Sequence, residues 1–342
     1  MRKVKVLVVD DSALMRKIIS DMINSEEDMQ AVDIARNGQD MFDKISKHNP
    51  DVVTLDVEMP VMDGISALRE IKKRNLNTQV IMLSSVSVKG TALTMECLEA
   101  GAFDFVSKPS GAISLDINKV KDELIEKIRL AYNKDNLASV EIERVKPVRK
   151  SLTNKIEAVV IGASTGGPKA LYSVITALPE KLGVPVFIVQ HMPVGFTKAF
   201  ADRLNSNSKI KVVEASEGDF VEKDVVYIAP GGYHMEVQSD KKIHLNTEPA
   251  IWGVRPAVDK LFISASKVYG SHLLSIVLTG MGKDGAQGTV EIKKNGGITI
   301  SEDKSTCTIY GMPKAAYETG MIDLIVPIHE VSAQIIRLVG GR

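Results

Sequence analysis

The sequence predicts an α/β protein with two doubly wound domains, and three observations support this fold class. Short apolar runs rich in β-branched residues alternate with amphipathic helical patterns along most of the chain, as in parallel sheets covered by helices. The length of 342 residues is too great for one ordinary domain and suits two. Residues 134–154 show no sustained period and have the mixed composition of a linker. We therefore expect domains at residues 1–133 and 155–342.

The composition excludes several classes of protein. Basic and acidic residues balance at 43 each, so charge gives no reason to expect nucleic acid or an anionic membrane as a partner. Cys97 and Cys307 lie far apart, which argues against a disulfide framework or a thiolate metal site and fits a reducing cytoplasm. The first residues run straight into a strand pattern, and no apolar run approaches the roughly 20 residues that span a bilayer. We expect a cytoplasmic protein without direct membrane insertion.

Five alternations of strand and helix make up the first domain. Apolar runs predict strands, and the 3.6-residue period predicts helices between them. The predicted strands are 4–9, 31–35, 52–55, 79–83 and 103–106, and the predicted helices include 39–47, 65–74 and 91–100. An apolar stripe at helical spacing, from Ile117 to Ile128, predicts the last helix of this domain. Such an alternation favours a five-stranded parallel sheet.

Charged and polar residues follow the strands of this first domain. Asp10 and Asp11 follow the first strand, and Asp56 follows the third. The carboxyl ends of parallel strands meet at the edge where open α/β folds bind ligands, so the three carboxylates should converge. An oxygen-only cluster of this kind favours magnesium over zinc or copper. Ser84 and Lys108 also follow strands, so a phosphoryl group on Asp56 would find a cation, an ammonium and a hydroxyl.

The first domain resembles the receiver domain of two-component response regulators. The residues that carry the resemblance occur in the family's order, namely Asp10-Asp11, Asp56, Met59-Pro60, Asp63-Gly64, Ser84 and Lys108-Pro109. The resemblance implies a flavodoxin-like sheet, a histidine kinase as the phosphodonor of Asp56, and Mg²⁺ bound by Asp10, Asp11 and Asp56. It also implies phosphoryl-sensing roles for Lys108, for Ser84 as the hydroxyl that moves towards the phosphoryl group, and for Phe105 as an aromatic switch residue.

The second domain begins with a buried strand at 156–161, and the segment after it is the most informative stretch of the chain. Gly162-Ala163-Ser164-Thr165-Gly166 matches the G-x-S-x-G pattern, in which a strand-to-helix turn exposes a serine beside backbone donors. Pro168 suits the first turn of a helix predicted at 169–178. Ser164 is therefore a candidate nucleophile, although the segment alone is also compatible with a plain glycine-rich turn.

Two further buried strands deliver a histidine and an aspartate. His191 follows the strand at 184–190, and Asp284 follows the strand at 272–278. Either residue alone has an ordinary explanation, a structural histidine and a helix N-cap. Together with Ser164 they predict a triad in which Ser164 is the nucleophile, His191 the base, and Asp284 the group that orients the imidazole.

Other features of the second domain complete the prediction. The backbone N–H groups of Thr165 and Met281 are candidates for an oxyanion hole, because both follow strand ends near the triad. The alternating apolar residues of 234–246 predict an antiparallel hairpin, and His234 is a candidate residue of the substrate pocket.

The second domain resembles the catalytic domain of the chemotaxis protein-glutamate methylesterases, the CheB family. The matching motifs, in order, are Gly162 to Pro168, Val189-Gln190-His191-Met192, Ala229-Pro230-Gly231-Gly232, and Leu278 to Gly285. The resemblance implies hydrolysis of glutamyl methyl esters on chemoreceptors, with deamidation of receptor glutamines, regulated by phosphorylation of the receiver. It implies no cofactor in the catalytic domain.

Two other functions are compatible with parts of the sequence. A phosphorylation-switched regulator could carry a second domain that only binds a partner or DNA, but no helix-turn-helix pattern or basic stripe supports DNA binding. A dinucleotide could bind at Gly162 to Gly167, but the glycine spacing differs from G-x-G-x-x-G.

Overall fold

The structure is a computed structural model that describes residues 2–108, 116–133 and 155–340. The chain divides into two compact units, residues 1–137 and 138–342. The predicted linker at 134–154 and Pro109 of the Lys108-Pro109 motif lie outside the described residues. The exact domain boundaries therefore stay a prediction.

Strands and helices alternate in the described part of the first unit. They are β1 (Val4–Val9), α1 (Ala13–Asn24), β2 (Met29–Ala35), α2 (Gly38–His48), β3 (Val52–Asp56), α3 (Gly64–Lys73), β4 (Gln79–Ser84), α4 (Val88–Glu99), β5 (Asp104–Ser107) and α5 (Asp116–Asn133). The strands form one parallel sheet in the order β2-β1-β3-β4-β5. The predicted five-stranded parallel sheet is confirmed.

The second unit is larger and has the same alternating character. Its elements are β6 (Ala158–Ala163), α6 (Gly167–Ile175), β7 (Val186–Gln190), α7 (Phe196–Asn207), β8 (Lys211–Glu214), β9 (Val225–Ile228), β10 (His234–Val237), β11 (Ile243–Asn246), α8 (Val258–Tyr269), β12 (Leu273–Val277), α9 (Ala286–Lys294), β13 (Ile298–Glu302), α10 (Met312–Glu318), β14 (Leu324–Val326) and α11 (Ile328–Val339). A parallel sheet runs in the order β14-β13-β12-β6-β7-β9-β8. Strands β10 and β11 form the predicted antiparallel hairpin.

The centre of the second sheet determines where a site can form. Strand β6 lies between β7, which follows it in the chain, and β12, where the chain returns to the other side of β6. Every residue of β6, β7 and β12 is buried, as their continuous apolar runs predict. The loops that follow these three strands therefore meet at a topological switch point, where open α/β sheets bind ligands.

Several helix boundaries differ from the predicted ones, and caps explain two of the differences. Helix α4 begins at Val88 rather than at residue 91, because the Ser87 side chain accepts the Gly90 N–H at 2.9 Å and starts the helix earlier. Helix α6 begins at Gly167 rather than at residue 169, after Gly166 at φ 76°. Among the described helices, none is long and apolar enough to cross a membrane.

Candidate active site and phosphoacceptor site

Three carboxylates and one ammonium converge at the carboxyl edge of the first sheet. One oxygen from each of Asp10, Asp11 and Asp56 lies within 4.8 Å of the others. Lys108 Nζ lies 2.7 Å from Asp10 Oδ2 and 2.8 Å from Asp56 Oδ2. Burial raises the pKa of Asp56 to about 6, Lys108 opposes this shift, and the Asp10 charge adds to it. An all-oxygen cluster with excess negative charge can hold a divalent cation of the magnesium type.

The other two predicted sensing residues lie in the same unit. Ser84 ends β4, beside the strand that carries Asp56. Its hydroxyl lies 3.2 Å from the Gly90 carbonyl and accepts a hydrogen bond from Thr94 Oγ1 at 2.6 Å, so it is engaged by α4. Phe105 is buried in β5. The proposed movements of these two side chains on phosphorylation stay predictions.

Sequence reasoning missed a buried lysine beside Phe105. Lys127 Nζ donates to the Phe105 carbonyl at 2.5 Å, lies 5.4 Å from the Phe105 ring centroid and pairs with Asp104 and Glu123 at 3.3 and 2.7 Å. Burial raises the pKa of Asp104, and the Lys127 charge opposes that shift. The position of Lys127 beside the apolar stripe of α5 could have indicated burial, but a solvent-exposed lysine gives the same sequence pattern.

Ser164 occupies the turn between β6 and α6, where the pattern predicts a nucleophile. Its N–H donates to the Thr279 carbonyl at 3.1 Å, and its carbonyl accepts the Gly167 N–H at 2.7 Å. Gly166 has φ 76°, and a Cβ atom there would collide with Thr308, so both conformation and space demand glycine. Ser164 itself is half-buried, which leaves it accessible to a substrate.

His191 lies one strand away and faces Asp284. Its N–H donates to the Ala163 carbonyl at 3.1 Å, which holds the residue beside the end of β6. The imidazole Nε2 lies 2.8 Å from Asp284 Oδ2. Nδ1 is therefore the ring nitrogen left to act on a serine hydroxyl. Among the described residues, no hydrogen bond joins the Ser164 hydroxyl to His191, so the nucleophile–base contact stays a prediction.

Asp284 is held as a carboxylate by the start of another helix. Its oxygens accept N–H groups from Val258 at 2.6 Å, Asp259 at 2.8 Å and Gly285 at 3.0 Å, in addition to the contact with His191. Two of these donors belong to the first turn of α8. Burial acts to raise the pKa of Asp284, but His191 and the backbone donors hold it below the ordinary value. The carboxylate thus binds the start of α8 and does not cap α9, the helix that follows it, whose N-cap is Gly285.

The candidate oxyanion donors lie on two loops that are tied together. No described acceptor takes a hydrogen bond from the N–H groups of Thr165 or Met281, so both are free to serve a ligand. The Thr279 hydroxyl lies 3.0 Å from the Thr165 carbonyl and accepts the Ile309 N–H at 2.9 Å. A Cβ atom at Gly280 would lie only 2.8 Å from Ser164 Cβ, which shows how closely the loop after β12 approaches the serine.

Three buried polar residues around the site escaped the sequence analysis. Thr279 is one, and Glu302 is another, since its Oε2 accepts the Thr279 N–H at 2.7 Å. The third is Asp259, whose Oδ1 accepts the N–H groups of Gly285 at 3.0 Å and Gly288 at 2.7 Å. Burial raises the pKa of Asp259, and the Asp284 charge adds to the shift. An aspartate in the first turn of a helix indicates a helix-capping role, but it does not indicate that the side chain binds the turn after Asp284.

His234 does not belong to a pocket. It is fully buried, with Nε2 3.1 Å from the Pro249 carbonyl and Nδ1 accepting the Ala257 N–H at 3.2 Å. Burial lowers the pKa of His234. The interpretation of His234 as a substrate-pocket residue is wrong, because both ring nitrogens contact the backbone of the segment that leads into α8, Nε2 at Pro249 and Nδ1 at Ala257.

Comparisons with known proteins show which families the two units match. Residues 159–335 match the family described as CheB methylesterase, and residues 6–117 match the response regulator receiver domain. A protein-glutamate methylesterase/protein-glutamine glutaminase of Clostridium acetobutylicum is 58% identical over 346 residues, covering 100% of this chain and 99% of that protein. A protein of the same name from Pyrococcus horikoshii is 48% identical, covering 99% of this chain and 94% of that protein. The crystal structure of the Thermotoga maritima CheB methylesterase catalytic domain superposes with a TM-score of 0.53 at 43% identity, covering 54% of this chain and 100% of that one.

Proposed function

This chain belongs to the CheB methylesterase family, and on that premise we propose that it is a phosphorylation-regulated serine hydrolase of chemoreceptors. Its reaction is hydrolysis of glutamyl methyl esters to glutamate and methanol, together with deamidation of glutamines. The observation that carries the proposal is the 2.8 Å pair of His191 and Asp284, which lie in the segments after β7 and β12, the strands on either side of β6. The names of the relatives favour this enzymatic function over a second domain that only binds a partner.

The proposed chemistry gives each of these groups one role. The Ser164 hydroxyl attacks the ester carbonyl while His191 Nδ1 takes its proton, and Asp284 stabilises the resulting imidazolium. The N–H groups of Thr165 and Met281 receive the negative charge that develops on the carbonyl oxygen. Collapse of the tetrahedral intermediate passes the proton to the leaving methoxide, which departs as methanol. Water then attacks the acyl-enzyme, with His191 again taking the proton, and glutamate is released. A glutamine follows the same course and loses ammonia.

Methanol release from membranes containing methylated chemoreceptor tests this proposal. Ser164→Ala should lower the rate by at least about 10³-fold, because the nucleophile is lost while binding is retained. Ser173→Ala is the matched control, since Ser173 is an exposed serine on α6, and it should behave as wild type. Methanol release that persists at the wild-type rate in Ser164→Ala would refute the mechanism.

We propose that the first unit controls this activity through Asp56. Asp56 would supply the carboxylate oxygen that accepts a phosphoryl group from a histidine kinase, with Lys108 paired to it. Asp10, Asp11 and Asp56 would hold Mg²⁺, which when bound neutralises charge on phosphoryl oxygens. Ser84 and Phe105 would sense the modification. The free thiols of the described chain are compatible with action in the cytoplasm.

A small phosphodonor such as acetyl phosphate, supplied with Mg²⁺, tests the control. It should raise methanol release by wild type and leave Asp56→Asn unchanged. Asp43→Asn replaces an exposed aspartate of α2 and should respond as wild type does. An equal response of wild type and Asp56→Asn would show that regulation does not pass through this carboxylate.

A further inference from the structure

An exposed tryptophan stands at the tip of a tight turn in the second unit. Ile251 and Val254 exchange backbone hydrogen bonds of 3.1 and 3.0 Å, and Trp252 and Gly253 form the turn between them. Both turn residues have positive φ, 53° and 80°. That conformation suits Gly253 but is unusual for a bulky residue, and Trp252 is also 53% exposed. The fold thus keeps a large, solvent-exposed apolar side chain at a position whose backbone conformation is unfavourable for a bulky residue.

The indole is held by two neighbours of the Asp284 carboxylate. Its Nε1–H donates to Asp259 Oδ2 at 3.2 Å, and Lys283 Nζ lies 3.9 Å from its ring centroid. Asp259 in turn donates its N–H to Asp284 Oδ1, and Lys283 directly precedes Asp284 in the chain. Trp252 is therefore anchored to the same structural unit that orients His191.

The surroundings of this tryptophan are open. A Cβ atom added at Gly253 or at Gly282 would meet no heavy atom within 4 Å. Lys283 is itself exposed, so its ammonium group remains accessible beside the ring. A rigid aromatic surface with an adjacent cation therefore borders the catalytic carboxylate without being covered by the rest of the described unit.

We propose that Trp252 and Lys283 together form a binding surface, the Trp252–Lys283 platform. It contacts the substrate protein next to the ester that reacts at Ser164. The inference rests on the proposed function, because it takes a receptor segment as the occupant. Tryptophan contributes strongly to protein interfaces, since a rigid indole buries a large area at low entropic cost. The ammonium of Lys283 adds charge complementarity, because a receptor that still carries one ester already presents carboxylates at the glutamates hydrolysed in earlier turnovers. The platform would supply affinity while the triad supplies chemistry.

A second aromatic–cation pair in the same unit provides an internal control. Phe220 is 67% exposed, and Lys242 Nζ lies 4.7 Å from its ring centroid. The backbones of Phe220 and Lys242 form an isolated antiparallel bridge beside the β10–β11 hairpin. Neither residue hydrogen-bonds with Asp259 or Asp284. Replacing Phe220 therefore measures the effect of losing an exposed aromatic side chain that is not part of the proposed binding surface.

Steady-state kinetics with methylated receptor in membranes tests the platform in the full-length protein. Trp252→Ala should raise KM by at least about tenfold while kcat falls less than about threefold, because the residue contributes to binding. Trp252→Phe should recover part of the affinity. Lys283→Gln should raise KM less and weaken its dependence on salt. Phe220→Ala should leave both constants within about twofold of wild type.

A small fluorophosphonate that modifies Ser164 separates binding from chemistry. For Trp252→Ala, the loss of kcat/KM on receptor should exceed the loss of modification rate by at least about tenfold. An unchanged KM in Trp252→Ala would overturn the platform alone. Equal losses on receptor and on the small reagent would also overturn it, since Trp252 would then act by supporting Asp284. Wild type that modifies Ser164 but releases no methanol would overturn the proposed function, and the platform with it.

Discussion

Gly280→Ala should displace Ser164 and lower activity while the protein remains folded. Gly280 lies on the loop after β12, and an added Cβ atom would lie 2.8 Å from Ser164 Cβ and 3.0 Å from Ser164 N. It would also collide with the sulfur of Met312. Met312 is buried but has a flexible side chain that can adjust, whereas Ser164 is part of a backbone held by hydrogen bonds on both sides. The strain must therefore reach the nucleophile.

The expected magnitude follows from these contacts. Ser164 Cβ would have to retreat from 2.8 Å to at least 3.4 Å to reach ordinary van der Waals contact. Because a misplacement of about 1 Å at a reacting group can cost about 10²-fold in rate, this smaller shift should cost about tenfold or more. Overpacking of a buried position costs about 1–3 kcal/mol of folding free energy. We therefore expect Gly280→Ala to lower kcat/KM by at least about tenfold and to remain folded.

Methanol release and urea unfolding of the same variants provide the assay. Gly297→Ala is the matched control, because a Cβ atom there would lie 2.6 Å from Ile292 Cγ2 and 2.9 Å from the Leu273 carbonyl, at the amino end of β13. It should lose similar stability and keep most of the activity, since that end of the sheet is opposite the site. If Gly280→Ala keeps wild-type kcat/KM, or if both variants lose activity equally, the argument from close approach to Ser164 is refuted.

Two further predictions concern buried groups around the triad. Thr279→Val keeps the side-chain shape but leaves the Thr165 carbonyl and the Ile309 N–H unpaired, so it should lower the free energy of unfolding by about 1–3 kcal/mol and lower kcat. Thr279→Ser keeps the hydroxyl and should retain both stability and kcat. If Thr279→Ser is as impaired as Thr279→Val, the hydroxyl hydrogen bonds are not the cause. Because the pKa of Asp284 is lowered from 3.8, its ionised form contributes stability above pH 3.8 that is lost as the pH falls through the folded-state pKa. The gap in unfolding free energy between wild type and Asp284→Ala, followed by urea titration from pH 7 to pH 3, should therefore narrow below pH 3.8; a gap that widens on acidification would contradict the shift.

Local patterns predicted the architecture because parallel α/β folds are encoded locally. Buried strands of this kind read as continuous apolar runs, and β6 and β12 are buried at every residue. Residues that follow such strands must share one edge of the sheet, so Ser164, His191 and Asp284 could be assigned to one edge from the sequence alone. Helix starts were less predictable, because a single side-chain cap such as that of Ser87 moves a boundary by a full turn.

The amino-acid sequence alone determined the two-domain α/β class, the residues at the strand ends and the families that they resemble, since apolar periodicity and glycine-rich turns act over a few neighbouring residues. Only the tertiary structure decided that Nε2 of His191 faces Asp284, that Asp259 joins the carboxylate to Trp252, and that His234 is a buried connector. These relations depend on hydrogen bonds between groups more than 20 residues apart in most cases, and such pairings leave no periodic trace in the chain.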